Sequence, residues 1–153
     1  MRRCGAVIAG MAIAALVVPA GASWRISEAK DRMTGKNESW AALAAKNPDQ
    51  GMTADLELSC AAGGRLFTVK LSAPLTRGKI SARLRADDGP VQNLAGLRVY
   101  SDPHRIPIVT APRLDLAGRK RFRVELFPTG SPPLFYDFDL TGIDRAMAAV
   151  RCR

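Results

Sequence analysis

The sequence predicts a mainly β fold, an antiparallel β-sandwich or partly open barrel with a C-terminal α-helix. Three observations predict it. Apolar and polar residues alternate in several short segments, Gly, Pro and Asp clusters punctuate those segments, and only one stretch near the C-terminus carries apolar residues at helical spacing. A chain of 153 residues and 16.4 kDa has room for a single ordinary domain.

In chain order, residues 39–45 (SWAALAA) come first. Their composition suits a helix, but the segment is short and runs into Asn47-Pro48, so it reads as a strand. Residues 54–60 (ADLELSC) alternate clearly: Ala54, Leu56, Leu58 and Cys60 share one face, with Asp55, Glu57 and Ser59 opposite. That pattern places Cys60 on the buried face. Gly63-Gly64 is a hairpin signal leading into residues 66–71, where Phe67, Val69 and Leu71 point inward. Residues 79–86 follow, with Ile80, Ala82, Leu84 and Ala86 inward and Lys79, Ser81, Arg83 and Arg85 outward. Asp87-Asp88-Gly89-Pro90 then turns the chain.

Residues 111–118 read as one short helical turn, with Pro112 near its start and Gly118 at its exit. Phe122, Val124 and Leu126 alternate with Arg121, Arg123 and Glu125. The last strand covers residues 135–140, with Tyr136, Phe138 and Leu140 on one side and Asp137 and Asp139 on the other. Thr141-Gly142-Ile143-Asp144 fits a capping box, in which the Thr hydroxyl and Asp carboxylate satisfy the first free amides of a helix. Ile143, Met147 and Val150 form that helix's apolar stripe.

The first 22 residues carry a different signal. Arg2 and Arg3 precede an apolar run, and Ala20 and Ala22 supply the small side chains that signal peptidase requires. Residues 1–22 are therefore expected to be a cleaved signal peptide, leaving residues 23–153 as one domain in the periplasm or outside the cell. The rival is an uncleaved N-terminal anchor, but Pro19, Gly21 and Ser23 make poor membrane core. No stable membrane span is expected after cleavage. Removing Arg2 and Arg3 from 23 basic residues leaves 21 against 14 acidic ones, a formal charge of +7. It also leaves two of the three cysteines, Cys60 and Cys152, which should form a disulfide in an oxidising compartment. Closing a loop of about 100 residues stabilises a fold by up to roughly 4.7 kcal/mol in the chain-entropy model.

Read together, these segments resemble the type VI secretion-associated TagO/VasI family of small exported proteins. The resemblance rests on Trp24, the Leu56-Glu57-Leu58-Ser59-Cys60 strand, Arg85-Ala86-Asp87-Asp88-Gly89-Pro90, and Phe138-Asp139-Leu140-Thr141-Gly142-Ile143 running on to Cys152. Two places depart from the pattern: residues 91–97 hold no aromatic, and Asp31 is a lone acid where the family has a pair. The resemblance implies an accessory role in secretion and no catalytic residues.

The possible chemistries are few. His104 is the sole histidine, and Asp102 stands two residues away. A Ser–His–Asp relay draws its members from separate elements, and no G-x-S-x-G elbow is present, so His104 reads as a solvated loop residue. Asp87 and Asp88 lack the additional oxygens that calcium demands, and Asp137 and Asp139 read as a polar strand face. No catalytic residue, metal site or cofactor is expected.

The basic residues carry what functional content there is. Lys79, Arg83 and Arg85 project from one strand, and Arg119, Lys120, Arg121 and Arg123 belong to another, with Arg98, Arg105 and Arg113 between. If both strands share a sheet, they form a cationic patch suited to phosphate or carboxylate. Nucleic acid is not the expected partner, because an exported protein seldom meets it and no aromatic residues interleave for base stacking. The expectation is an exported, non-enzymatic binding or accessory protein of the bacterial cell envelope, with a protein or an anionic envelope polymer as its partner. The alternatives are a small envelope hydrolase or inhibitor with a site around His104, and a domain tethered by residues 1–22. The sequence leaves the oligomeric state open.

Overall fold

Alternation along a strand buries one face, and the burial follows it closely: Ile80, Ala82 and Leu84 are buried while Lys79, Ser81 and Arg83 are exposed. The computed structural model describes residues 23–61, 64–76, 78–99, 102–108 and 115–152. These form β1 (Arg25–Lys30), β2 (Asn37–Ala44), β3 (Ala54–Ala61), β4 (Gly64–Leu71), β5 (Gly78–Ala86), β6 (Gln92–Val99), β7 (Arg105–Pro107), β8 (Arg121–Phe127), β9 (Leu134–Asp139) and a single helix, α1 (Ile143–Ala149). The strands make two antiparallel sheets, ordered β1-β2-β3-β4-β7 and β6-β5-β8-β9. Neither sheet closes on itself, so the arrangement is sandwich-like and no closed barrel forms.

Inward residues of both sheets fill the space between them, Leu43, Leu56, Leu58 and Val69 from one and Leu84, Phe122, Val124, Tyr136 and Phe138 from the other. Phe122 and Phe138 stack with ring centroids 6.4 Å apart, as cross-strand partners on β8 and β9. Ile143, Ala146 and Val150 of the C-terminal segment join the same core. Among the described residues no helix is long and apolar enough to cross a membrane.

The disulfide forms between Cys60 and Cys152, with their Cα atoms 5.3 Å apart. Its position differs from expectation. Cys60 is exposed, because β3 outruns the core at its last two residues, so the bridge lies at the rim of the sheet and not inside it. From there it ties the segment after α1 to the end of β3, and Arg65 adds a bond from its guanidinium to the Met147 carbonyl at 2.9 Å.

The capping box does not form. The residue before α1 is Gly142 in the left-handed conformation (φ 85°), with no side-chain cap. Thr141 instead donates to Asp139, and Asp144 accepts the Gly118 amide from a neighbouring loop. A Cβ at Gly142 would meet Trp24 Cδ1 at an ordinary contact distance of 3.6 Å, so it is the left-handed backbone and not space that favours glycine there.

Three strands were not predicted. β1 is exposed along nearly its whole length, so no face of it is apolar. β6 contains a bulge: Ala95 and Gly96 lie opposite the single Ser81, and Gly96 takes a left-handed φ of 69°. β7 is three residues long. The expected helical turn at 111–118 falls partly outside the described residues; its remainder, Asp115 to Gly118, is a turn held by the Asp115 carboxylate on the Ala117 amide. The ladder of β3 and β4 runs to Ala61 opposite Gly64, which leaves residues 62–63, outside the described set, to join them. The expected signal peptide, residues 1–22, also lies outside the described residues.

Candidate anion-binding face

The two basic strands are neighbours. β5 pairs with β8 so that Arg83 lies opposite Glu125 and Arg85 opposite Arg123. β9 continues the rows, placing Phe135 beside Glu125 and Asp137 beside Arg123. Two charge rows therefore cross the outer face of this sheet: Arg83–Glu125–Phe135 and Arg85–Arg123–Asp137.

Most of these cations have partners within the chain. Arg83 pairs with Glu125 at 3.2 Å, and Arg121 grips Asp137 through Nε at 2.9 and 3.0 Å and through Nη2. That grip holds the Asp137 carboxyl below its usual range and raises the Arg121 guanidinium above its own. Asp139 is likewise lowered, chiefly by the Thr141 hydroxyl and amide, with Lys46 3.4 Å away. Arg119 approaches Asp87 at 3.8 Å. Lys79 and Lys120 form no ion pair among the described residues, and both are exposed.

Arg85 and Arg123 are held differently. Arg85 donates to the Gly89 carbonyl at 3.0 Å and the Asp88 carbonyl at 3.3 Å, and Arg123 donates to the Asp87 carbonyl. Among the described residues the carboxylate within ion-pair distance of either is Asp88, at 3.8 and 3.6 Å, its side chain almost wholly in solvent; Asp137, opposite Arg123 across the strands, is gripped by Arg121. The Asp87–Pro90 turn is thus the brace for both guanidiniums. Asp87 sits in it with a positive φ of 48°, which a short polar side chain tolerates. Its carboxylate accepts the Lys120 and Arg121 amides at 3.0 and 2.9 Å, and these bonds hold its pKa below the usual value.

Beside this turn lies a cavity of about 170 Å³, lined by Arg83, Arg85, Arg123, Glu125, Val91 and Phe135 among others. Phe135 is fixed there by its backbone: its amide donates to Asp49 at 2.6 Å and its carbonyl accepts from Asn47 at 3.1 Å. The same loop covers the free edge of β9, with the Lys46 amide on the Asp137 carbonyl and the Asn47 side chain on the Asp137 amide. Phe135 was not singled out from sequence, although inward Tyr136 and Phe138 require it to face outward.

The remaining predicted residues lie elsewhere. Arg105 belongs to the opposite sheet, where its guanidinium meets Glu57 at 2.7 Å; Lys70 reaches the same carboxylate at 3.5 Å. Glu57, on the strand face opposite Leu56 and Leu58 as expected, is only 8% exposed beneath these two cations. Arg98 is the backbone partner of Lys79, and Arg113 lies outside the described residues. His104 is half-buried and not freely solvated: its Nδ1 lies 3.1 Å from the Leu71 carbonyl, and its amide donates to Asp102 at 3.0 Å. It does not line the cavity on the basic face. Among the described residues no group of His, Cys, Asp or Glu is arranged to hold a metal ion.

Comparison of the chain with protein-family models, with curated proteins and with solved structures returns no match in any of the three.

Proposed function

We propose that this chain is an exported, non-enzymatic protein of the bacterial cell envelope that binds an anionic partner through the outer face of the β6-β5-β8-β9 sheet. The observation that carries the reading is the adjacency of β5 and β8, which gathers Lys79, Arg83, Arg85, Arg121 and Arg123 on one surface. On and around it, Lys79, Arg83, Arg85, Arg119, Lys120, Arg121 and Arg123 outnumber Asp87, Asp88, Glu125, Asp137 and Asp139. Signal-like residues 1–22 and the Cys60–Cys152 bridge favour a compartment outside the cytoplasm. The resemblance to the TagO/VasI family makes accessory work in type VI secretion the narrower form of the proposal.

The test is sedimentation of the purified, exported protein with peptidoglycan sacculi and with lipopolysaccharide over a range of salt. Binding should weaken steeply as salt rises, because screening acts on exposed charges. The triple variant Lys79→Glu, Arg83→Gln, Lys120→Glu should lose it: Lys79 and Lys120 form no ion pair among the described residues, and Gln at 83 removes the charge without setting two carboxylates opposite each other. Binding that is indifferent to both salt and the triple variant contradicts the proposal.

A further inference from the structure

We infer that the cavity beside the Asp87–Pro90 turn receives the head of an amphiphilic anion, a carboxylate or phosphate carried on an apolar chain or ring. The inference rests on the reading of this face as anion-binding and adds the class of ligand. The head sits on Arg85 and Arg123, and the apolar part lies against Phe135 and Val91.

Compensation distinguishes these two arginines from their neighbours. Arg83 and Arg121 each contact a carboxylate on the same sheet face, whereas Arg85 and Arg123 are anchored to backbone carbonyls. They lie directly opposite each other, and like charges in that relation repel. Carbonyl anchoring fixes both forks, and the carboxylate within ion-pair distance of them among the described residues, Asp88, stands 3.8 and 3.6 Å away on a side chain almost wholly in solvent. The Arg123 side chain is only 21% exposed, and its buried Nε has no hydrogen-bond partner among the described residues. A ligand oxyanion that takes the place of the loosely held Asp88 carboxylate relieves the repulsion more closely and accepts charge-assisted bonds from both.

The apolar half of the argument is independent of charge. Val91 and Phe135 are 43% and 42% exposed, and both line this cavity. Single exposed apolar residues are ordinary on protein surfaces. Two that flank a pair of under-compensated arginines, one of them with its backbone pinned at N–H and C=O, make a surface with an apolar side and an anionic requirement. Size narrows the ligand further. The cavity of about 170 Å³ falls below the ~300–1,000 Å³ typical of sites that enclose a whole small molecule. It suits a head group and its first few carbons.

The experiment is calorimetric titration of the exported protein with octyl phosphate below its micelle concentration, alongside inorganic phosphate and octyl glucoside. Octyl phosphate should bind at least tenfold more tightly than inorganic phosphate, and octyl glucoside should not bind measurably. The Phe135→Ser/Val91→Ser variant should lose about tenfold for octyl phosphate with no change for inorganic phosphate or in Tm. Vesicles containing phosphatidylglycerol form a further arm: binding to both vesicles and octyl phosphate indicates a lipid in its bilayer, and binding to octyl phosphate alone indicates a free amphiphile. Equal affinity for octyl phosphate and inorganic phosphate overturns the inference while leaving the anion-binding face intact. Absence of binding to either, together with salt-independent sedimentation, overturns both.

Discussion

Arg85 and Arg123 stand directly opposite each other on β5 and β8, and the carbonyls of Asp87, Asp88 and Gly89 hold the two guanidiniums in place. The turn that ends β5 is therefore also the scaffold of the basic face. Asp87 fastens it to β8 through the Lys120 and Arg121 amides. Asp87→Ala should loosen the turn, lower the Tm and weaken anion binding together. Asp87→Asn keeps the amide-accepting oxygen and the tolerance for positive φ, and should retain more of both. Thermal melts and a binding titration on the two variants check this.

Cys60→Ser or Cys152→Ser should destabilise the fold by about 2–4 kcal/mol, the usual range for one disulfide. For a domain of this size that corresponds to a fall in Tm of about 10 °C. Each variant should also expose one titratable thiol. Melts with and without reductant measure the effect, and an unmoved midpoint on reduction would show the bridge to be dispensable.

Acid should weaken the sheet that carries the site. Asp137 and Asp139 have folded pKa values below the ordinary 3.8, through Arg121 and Thr141 respectively. Between the folded and unfolded values the unfolded chain binds more protons, so their contribution is complete above about pH 4 and is lost as pH falls through the folded values. Urea unfolding at pH 7 and pH 3 should show a larger loss for the natural protein than for Asp137→Asn, whose residue 137 no longer titrates.

Tyr136 is fully buried and its hydroxyl has no hydrogen-bond partner among the described residues. Its pKa is pushed up to about 12 by burial, with the Asp49 charge adding to the rise. Tyr136→Phe removes an unsatisfied polar atom and should leave stability unchanged or raise it by up to about 1 kcal/mol. In the natural protein the raised value means that the tyrosine's contribution is present below pH 10 and fades as pH climbs toward 12. Chemical denaturation at pH 7 and pH 11 compares the two chains; a markedly less stable Phe variant would mean that the hydroxyl is bonded.

Strands with one buried face were legible in the sequence, and the others were not, for physical reasons. β3, β4, β5, β8 and β9 all pack one face on the core, so their residues alternate. β1 has no such face, and the Ala95–Gly96 bulge breaks the alternation of β6. The same limit applies to the site. The outward arginines were readable from period two, but their partners depend on register, which places Arg85 against Arg123 and Arg83 against Glu125. The T-x-x-D pattern at Thr141 predicts a cap; instead both side chains bond elsewhere, to Asp139 and to Gly118. Cys60 shows that alternation fixes the direction of a side chain and not its burial once the strand passes the edge of the core.

The most direct test of the proposed anion-binding face is amide chemical-shift mapping of the ¹⁵N-labelled protein during titration with short-chain polyphosphate at low salt. The account predicts perturbations concentrated on β5, β8 and the Asp87–Gly89 turn, strongest near Arg85 and Arg123. Shifts centred on Glu57, Lys70 and Arg105 of the opposite sheet, or none at all, would contradict it.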